Sequence, residues 1–494
     1  MFQLFKRVNQ DLNKIAIVDT TGQYSYNELQ QASDQVQAHL LEDVPDLNEA
    51  RVGFLVAPGF DYVKVQWGIW KAGGIAVPLS TTHPSEALQH VIDDAQISLL
   101  IISKAYADVL SSLKLKSIKV LHLEELKNPA EEKVRFDLKL DRGAMILYTS
   151  GTTSKPKGVL TTFGNIQAQL NSLHDFWHWS EDDYILNVLP LHHVHGIINV
   201  VTCALWSGAT VEFLSKFKEA NVFDKFLEGN INVFMAVPTI YFKLISHFDS
   251  LEKIDQTSIS KILKEFRLMV SGSAALPISV LEKWREISGH TLLERYGMTE
   301  IGMGLSNPYD GERRPGHVGL PFPNVEGRLM ADEKVVSKEN VEGEIQIKGP
   351  TVFKEYWGNP EATKEAFTED GWFKTGDIAM LNDGYYKILG RNSVDIIKSG
   401  GYKISALEIE EVLPRSDQID ECAVVGLPDE EWGERIVAAI VPSTNLDLFN
   451  LPDWMKDQLP AYKVPRSFIP LVALPRNAMG KVSKNELKKM LTDL

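Results

Sequence analysis

YTSGTTSKPKGV, residues 148–159, follows the apolar run AMIL of residues 144–147. Between Tyr148 and Gly158 it gathers two glycines, five Ser/Thr hydroxyls and two lysines. Hydroxyls and bare backbone amides are donors for an anion, and Lys155 and Lys157 are cations at the mouth of the same loop. A turn that only connects two elements seldom carries that density of donors. The Walker-type loop, G-x-x-x-x-G-K-[ST], does not fit. Lys155 falls four residues after Gly151, and Lys157 is preceded by Pro156 and followed by Gly158. The stretch reads as a phosphate cradle of another build, placed just after a strand.

Strand-length apolar runs alternate with helical patterns on both sides of it. RVGFLVA (51–57), SLLIIS (98–103), NVFMAVP (232–238) and RLMVSGS (267–273) read as strands. DYVKVQWGIWKAGG (61–74), FGNIQAQLNSLHDFW (163–177) and PISVLEKWREISG (277–289) read as helices. This alternation predicts an α/β fold of doubly wound, mostly parallel subdomains, with ligands at the strand C-termini. After residue 320, Asp-Gly pairs separate short strands, which predicts a small β unit. From Gly390 onward a separate α+β pattern begins. A chain of 494 residues is too long for one core. The expected division is an N-terminal domain over 1–390 and a small C-terminal domain over 391–494.

The net charge of −15 argues against bulk binding to nucleic acid or an anionic membrane, which wants a basic surface. The two cysteines, Cys203 and Cys422, offer neither metal spacing nor a disulfide framework, which fits a reducing compartment. The N-terminal MFQLFKRVNQDL has no apolar signal core, and no run approaches the ~18 apolar residues of a membrane span. The expected address is cytoplasmic, without stable membrane insertion. An organelle matrix is the variant if a transit peptide is absent from this chain.

The order YTSGTT-x-x-PKGV resembles the phosphate loop of adenylate-forming enzymes: acyl-CoA synthetases, amino-acid-adenylating domains and luciferases. Ser154 stands where a glycine is usual, which costs backbone freedom and adds a hydroxyl. Other stretches resemble that family's motifs in their usual order: SGSAALP (271–277), ERYGMTE (294–300), GWFKTGD (371–377), LGR (389–391) and PRNAMGKVSK (475–484). The resemblance spans essentially the whole chain. It implies a large N-terminal domain, a small mobile C-terminal domain, and ATP, Mg²⁺ and coenzyme A as cofactors.

The resemblance also implies roles. Thr149, Ser150, Gly151, Thr152, Thr153 and Lys157 would face the phosphates. Gly272, Ser273 and Ala274, with Glu294, Tyr296, Gly297, Met298 and Thr299, would bind the rest of the nucleotide. Asp377 would accept the ribose hydroxyls, backed by Arg391. Glu300 would be the Mg²⁺ carboxylate with Thr149 beside it, since hard oxygen ligands and phosphates suit that ion. Adenylation joins two anions, so positive charge and in-line positioning matter most. Lys481 would bridge the substrate carboxylate and the α-phosphate, making Lys481, Glu300 and Lys157 the catalytic set. After a turn of the small domain, KSGGYKIS (398–405) would serve coenzyme A through Lys398, Gly400, Gly401 and Tyr402. The hinge normally follows Gly-Arg with a charged residue; here Asn392-Ser393-Val394-Asp395 carries an apparent extra residue.

Two stretches bear on the acid. LPLHHVHG (189–196) precedes a helix expected to wall the acyl pocket, with His193, His195 and Ser271 as wall candidates. A metal reading of these histidines lacks accompanying cysteines or carboxylates, and His192 and His193 are expected to splay apart. Arg295 is the sharper feature. Facing an apolar acyl tail it would be a buried, uncompensated charge, costing several kcal/mol. Facing a second carboxylate it would form a bidentate, charge-assisted pair. A dicarboxylic acid follows, unless Arg295 pairs with Glu294 or another acid, which would favour a short or branched monocarboxylate. Taken together the motifs resemble malonyl-CoA synthetases, with methylmalonate as the alternative acid. A non-catalytic relative would have lost a motif residue, yet Glu300, Asp377, Arg391 and Lys481 are all present.

Overall fold

The computed structural model describes residues 1–8, 11–115, 118–126, 138–149, 156–214, 216–392, 394–443, 447–448, 450–476 and 482–492, with Lys403 as backbone only. Four sheets organise it. The nine-stranded sheet has a parallel centre: Ile15–Asp19, Thr210–Phe213, Tyr184–Asn187, Val233–Ala236, Leu268–Ser271 and Leu293–Met298 lie side by side in that order. The seven-stranded sheet is parallel through Ile75–Pro78, Arg51–Leu55, Leu99–Ile102 and Lys119–His122. Its other side ends in the antiparallel strands Gly143–Thr149, Lys157–Thr162 and Glu355–Tyr356. Runs such as VFMA and LMVS are buried at every position because parallel strands are covered on both faces.

One core joins the two large sheets. Val52, Ala76 and Met145 of one sheet and Ile17, Val211 and Met235 of the other belong to a single buried cluster with Trp67, Trp70 and Trp177. The helices Tyr26–Leu40, Phe60–Lys71 and Phe163–Phe176 contribute to it. The last of these starts directly after the Lys157–Thr162 strand. Thr162 caps it and Asn165 reciprocates, so the chain turns from strand to helix without a loop. At the far end of Ile278–Ser288, Gly289 takes φ +78, the left-handed stop that favours glycine.

The β-rich unit after residue 320 is a five-stranded antiparallel sheet that includes Gly343–Lys348, Phe373–Asn382 and Tyr385–Arg391. The last sheet holds the hairpin Ile396–Ser399/Tyr402–Ser405 and the strands Ile419–Asp429, Gly433–Pro442 and Ser467–Pro470. It has its own cores, one of them around Ile397, Ile409 and Ile436. Among the described residues no helix is long and apolar enough to cross a membrane.

Candidate active site

Strands of several sheets supply the groups. Gly143–Thr149 and Lys157–Thr162 form a hairpin whose last pair is Thr149 opposite Lys157. Both residues therefore stand at the mouth of the loop quoted above. Ser150, Gly151, Thr152 and Thr153 lie outside the described residues. The helix Ser85–Asp94 holds both flanks of that loop: Tyr148 donates its hydroxyl to Asp94 Oδ2 at 2.6 Å, and His90 Nε2 is 3.1 Å from the Pro156 carbonyl oxygen.

Leu268–Ser271 and Leu293–Met298 are parallel neighbours with Ser271 opposite Glu294. Successive side chains of a strand leave opposite faces. Glu294 and Arg295 accordingly diverge. The Glu294 carboxylate accepts the Gly316 N–H at 2.8 Å, and burial drives its pKa up to about 8. Arg295 turns instead over the end of the neighbouring strand, where Gly272 has no Cβ to obstruct it. Its Nη2 donates to Ser273 Oγ at 3.2 Å, and that hydroxyl lies 3.1 Å from His195 Nδ1. Ser273 holds this position at φ +69, a strained region for a residue with a side chain. Arg295 is 5% exposed, its Nε has no hydrogen-bond partner among the described residues, and burial lowers its pKa to about 9. Among the described residues no carboxylate pairs with it. Ser271 Oγ, also buried, has no partner either.

The histidine wall departs from expectation in one respect. His192 and His193 do not splay apart: their ring centroids are 4.1 Å apart, and His83 lies 5.2 Å from His192. These residues sit in a turn, where the alternation of a strand does not apply. Burial, reinforced by the two neighbouring rings, pushes His192 down to about 3 and keeps it uncharged. No metal-holding cluster of histidine, cysteine or carboxylate occurs among the described residues. The helix that follows, His195–Thr202, is wound as a π-helix and is buried throughout.

Asp377 and Glu300, the carboxylates expected to serve the nucleotide, lie close enough to feel one another's charge. Asp377 stands opposite Arg391 in the ladder between Phe373–Asn382 and Tyr385–Arg391. Arg391 Nε donates to Asp377 Oδ1 at 3.1 Å, and the Tyr296 hydroxyl donates to Oδ2 at 2.5 Å. Burial raises the Asp377 pKa while Arg391 opposes the rise. Glu300 follows the Leu293–Met298 strand, beyond Thr299. Its Oε1 accepts the Tyr356 hydroxyl at 3.0 Å, and burial raises its pKa against the pull of Tyr356 and Arg391. Glu300 fits a magnesium ion: a buried hard oxygen donor in no ion pair among the described residues, of the kind Mg²⁺ combines with substrate phosphates. Gly297 is packed against the Gly302 carbonyl, where no Cβ would fit.

Lys398 and Tyr402, expected on the coenzyme side, are on the last sheet. They belong to the hairpin whose turn is Gly400-Gly401, both glycines at positive φ. Lys481 lies outside the described residues; Lys484, three positions on, is buried between Asp395 and Glu410 at 2.6 and 2.7 Å. Tyr356 is the site residue that the motifs do not contain. It is 56 positions from Glu300 and reaches it through strand pairing, for which the local sequence has no signal.

The Thr149/Lys157 hairpin end, the buried Glu300 carboxylate and the Asp377–Arg391 pair, beside a separate C-terminal sheet, form the arrangement expected of an adenylate-forming enzyme. The model of the AMP-binding enzyme matches residues 4–357, and that of the AMP-binding enzyme C-terminal domain matches 408–481. The mitochondrial malonate–CoA ligase of Mus musculus is 44% identical, over 97% of this chain and 89% of its own. The ATP-bound MatB structure from Rhodopseudomonas palustris superposes with a TM-score of 0.91 at 32% identity, covering 99% of each chain. An o-succinylbenzoate coenzyme A synthetase from Bacillus subtilis, in complex with ATP and magnesium, superposes with a TM-score of 0.84 at 27% identity and 99% coverage of each chain. The chain belongs to the AMP-binding enzyme family, in its adenylate-forming fold.

Proposed function

We propose that this protein ligates malonate to coenzyme A at the expense of ATP, with Mg²⁺, through a malonyl-adenylate. A malonate carboxylate oxygen bonds to the α-phosphorus as the bond to the β-phosphate breaks and pyrophosphate leaves. The coenzyme A thiol, giving up its proton, then bonds to the acyl carbon, and AMP leaves. The products are malonyl-CoA, AMP and pyrophosphate.

The observation that carries the choice of acid is Arg295: a buried cation whose only described hydrogen bond is to a hydroxyl. Such a group needs an anion, and the substrate's second carboxylate supplies one. Ser271 Oγ, Ser273, His193 and His195 would complete that end of the pocket. Lys157 and Thr149, with the loop between them, would hold the β- and γ-phosphates. Glu300 would hold Mg²⁺, which neutralises phosphate charge. Asp377 would take the ribose hydroxyls with Arg391 behind it, and Tyr296 would flank the adenine. Lys481 would act in adenylation, and the Lys398–Tyr402 hairpin in transfer to coenzyme A. The reading includes a division into domains 1–390 and 391–494 and a cytoplasmic address.

Arg295→Leu tests the acid. It should cost malonate roughly 2–5 kcal/mol in kcat/KM, the range for stripping one partner from a buried charge pair. It should raise kcat/KM for butyrate, whose methyl end would no longer face a desolvated cation. Parallel loss on both acids would show that Arg295 is structural. Undiminished malonate activity would move the second carboxylate elsewhere, first to the histidines.

A further inference from the structure

Tyr356 lies on a strand of two residues, Glu355–Tyr356, paired antiparallel with Lys157–Thr162. The backbone around it is fixed from both sides. Trp357 N–H donates to the Gly158 carbonyl at 2.8 Å and Lys354 N–H to that of Leu160 at 2.9 Å. Phe353 N–H donates to the Glu300 carbonyl at 2.7 Å. Asn165, from its helix cap, holds the carbonyls of Pro350 and Val352 at 2.9 and 2.8 Å. The phenol is thereby held between two groups of opposite charge. Its hydroxyl donates to Glu300 Oε1 at 3.0 Å, and its ring carries Lys157 Nζ at 5.0 Å from the centroid. Among the described residues no ion pair joins Lys157 to Glu300.

Opposite charges in a poorly solvated cleft attract strongly. With nothing between them, the ammonium and the carboxylate would neutralise one another before any nucleotide arrived. The face of an aromatic ring is a weaker partner for a cation than a carboxylate is, and it can be exchanged for phosphate. We propose that Tyr356 is a positioning residue of the nucleotide–metal site. Its ring keeps Lys157 from pairing with Glu300, so that both remain available to the triphosphate and its divalent cation. Its hydroxyl fixes the rotation of the Glu300 carboxylate by engaging Oε1.

The inference rests on the roles proposed above for Lys157 and Glu300. It is tested without acid or coenzyme A, so the choice of malonate does not enter. ATP binding to the full-length protein is measured by calorimetry, once in EDTA and once in Mg²⁺, alongside the melting temperature of each ligand-free variant. Tyr356→Phe keeps the spacer and loses the hydroxyl. It should bind metal-free ATP as the parent does and Mg·ATP about three- to tenfold more weakly, the scale of one hydrogen bond. Tyr356→Leu removes the spacer and should weaken metal-free ATP binding about tenfold or more, as Lys157 closes on Glu300. Adding Glu300→Gln to Tyr356→Leu should restore most of the metal-free affinity, because no ion pair can then form. A merely structural tyrosine predicts a lower melting temperature and no rescue. Failure of the double variant to rescue, or undiminished metal-free binding in Tyr356→Leu, overturns the spacer. If Tyr356→Leu does not fold, an unchanged Mg·ATP affinity in Tyr356→Phe overturns the positioning of Glu300. Lys157→Ala serves as the control: undiminished ATP binding there withdraws the role of Lys157 and this inference with it.

Discussion

The guanidinium of Arg295 lies across the bare Cα of Gly272, so that a methyl group on the glycine would overlap Nε and Cζ. All three of the nearest atoms to that missing methyl belong to Arg295. Gly272 is not among the glycines at positive φ, so its backbone accepts alanine. Gly272→Ala should therefore act through Arg295. We expect a loss in malonate kcat/KM worth about 1–3 kcal/mol, the usual cost of overpacking a filled site. The KM for ATP should move much less. An equal loss on both substrates would tie Gly272 to the nucleotide and not to the acid.

Lys481→Ala should abolish acyl-adenylate formation and leave thioester formation from supplied malonyl-adenylate largely intact. The expected drop in ATP–pyrophosphate exchange is on the order of 10²–10⁴, the scale for removing a positioned charge from a transition state. Equal loss of both half-reactions would contradict the assignment.

Gly401→Leu should show the opposite division. Gly401 stands at φ +83 in an exposed hairpin turn with nothing near its missing Cβ. The leucine strains the turn locally and crowds whatever approaches its backbone. Pyrophosphate release in the absence of coenzyme A should survive, and malonyl-CoA formation should fail. Loss of pyrophosphate release as well would mean that the turn serves both steps.

Glu294 supplies a pH-dependent test of stability. Its carboxyl is buried and its pKa is raised to about 8, mainly by burial, with the Gly316 N–H opposing and Glu411 adding to the rise. Between the unfolded value near 4.5 and about 8, the folded protein keeps a proton that the unfolded chain gives up. Stability therefore falls as pH rises through that window, and above it the charged carboxylate is a full cost. Glu294→Gln keeps an acceptor for Gly316 and removes the charge. We expect it to stabilise the protein at pH 8 by on the order of 1–3 kcal/mol and to change little at pH 5. Urea melts at the two pH values read this directly. A variant less stable than the parent at pH 8 would mean that the carboxylate is compensated.

What was legible in the sequence was whatever a short run of residues encodes. The parallel strands were visible as continuous apolar runs. Glu300, Asp377 and Arg391 were visible because each sits in a motif, and the structure brings Arg391 against Asp377. What was not legible depends on residues far apart in the chain. The link from Arg295 through Ser273 to His195 spans three segments, and the phenol between Lys157 and Glu300 needs a two-residue strand pairing. The expectation that His192 and His193 splay apart failed for a local reason: the chain makes a turn there, which brings the two neighbouring rings together.

Arg391 closes the strand that carries it and is tied on both sides. Its side chain meets Asp377, and its backbone N–H donates to Asp395 Oδ2 at 3.0 Å, just before the last sheet begins. On the reading proposed here, the ribose would be gripped beside the Gly-Arg after which the hinge of related enzymes normally falls. A load placed at an axle is hardly displaced when the wheel turns. The nucleotide would thus stay where it was bound while the parts around it trade places, and the activated acid would cross from one reaction to the next without being handed over.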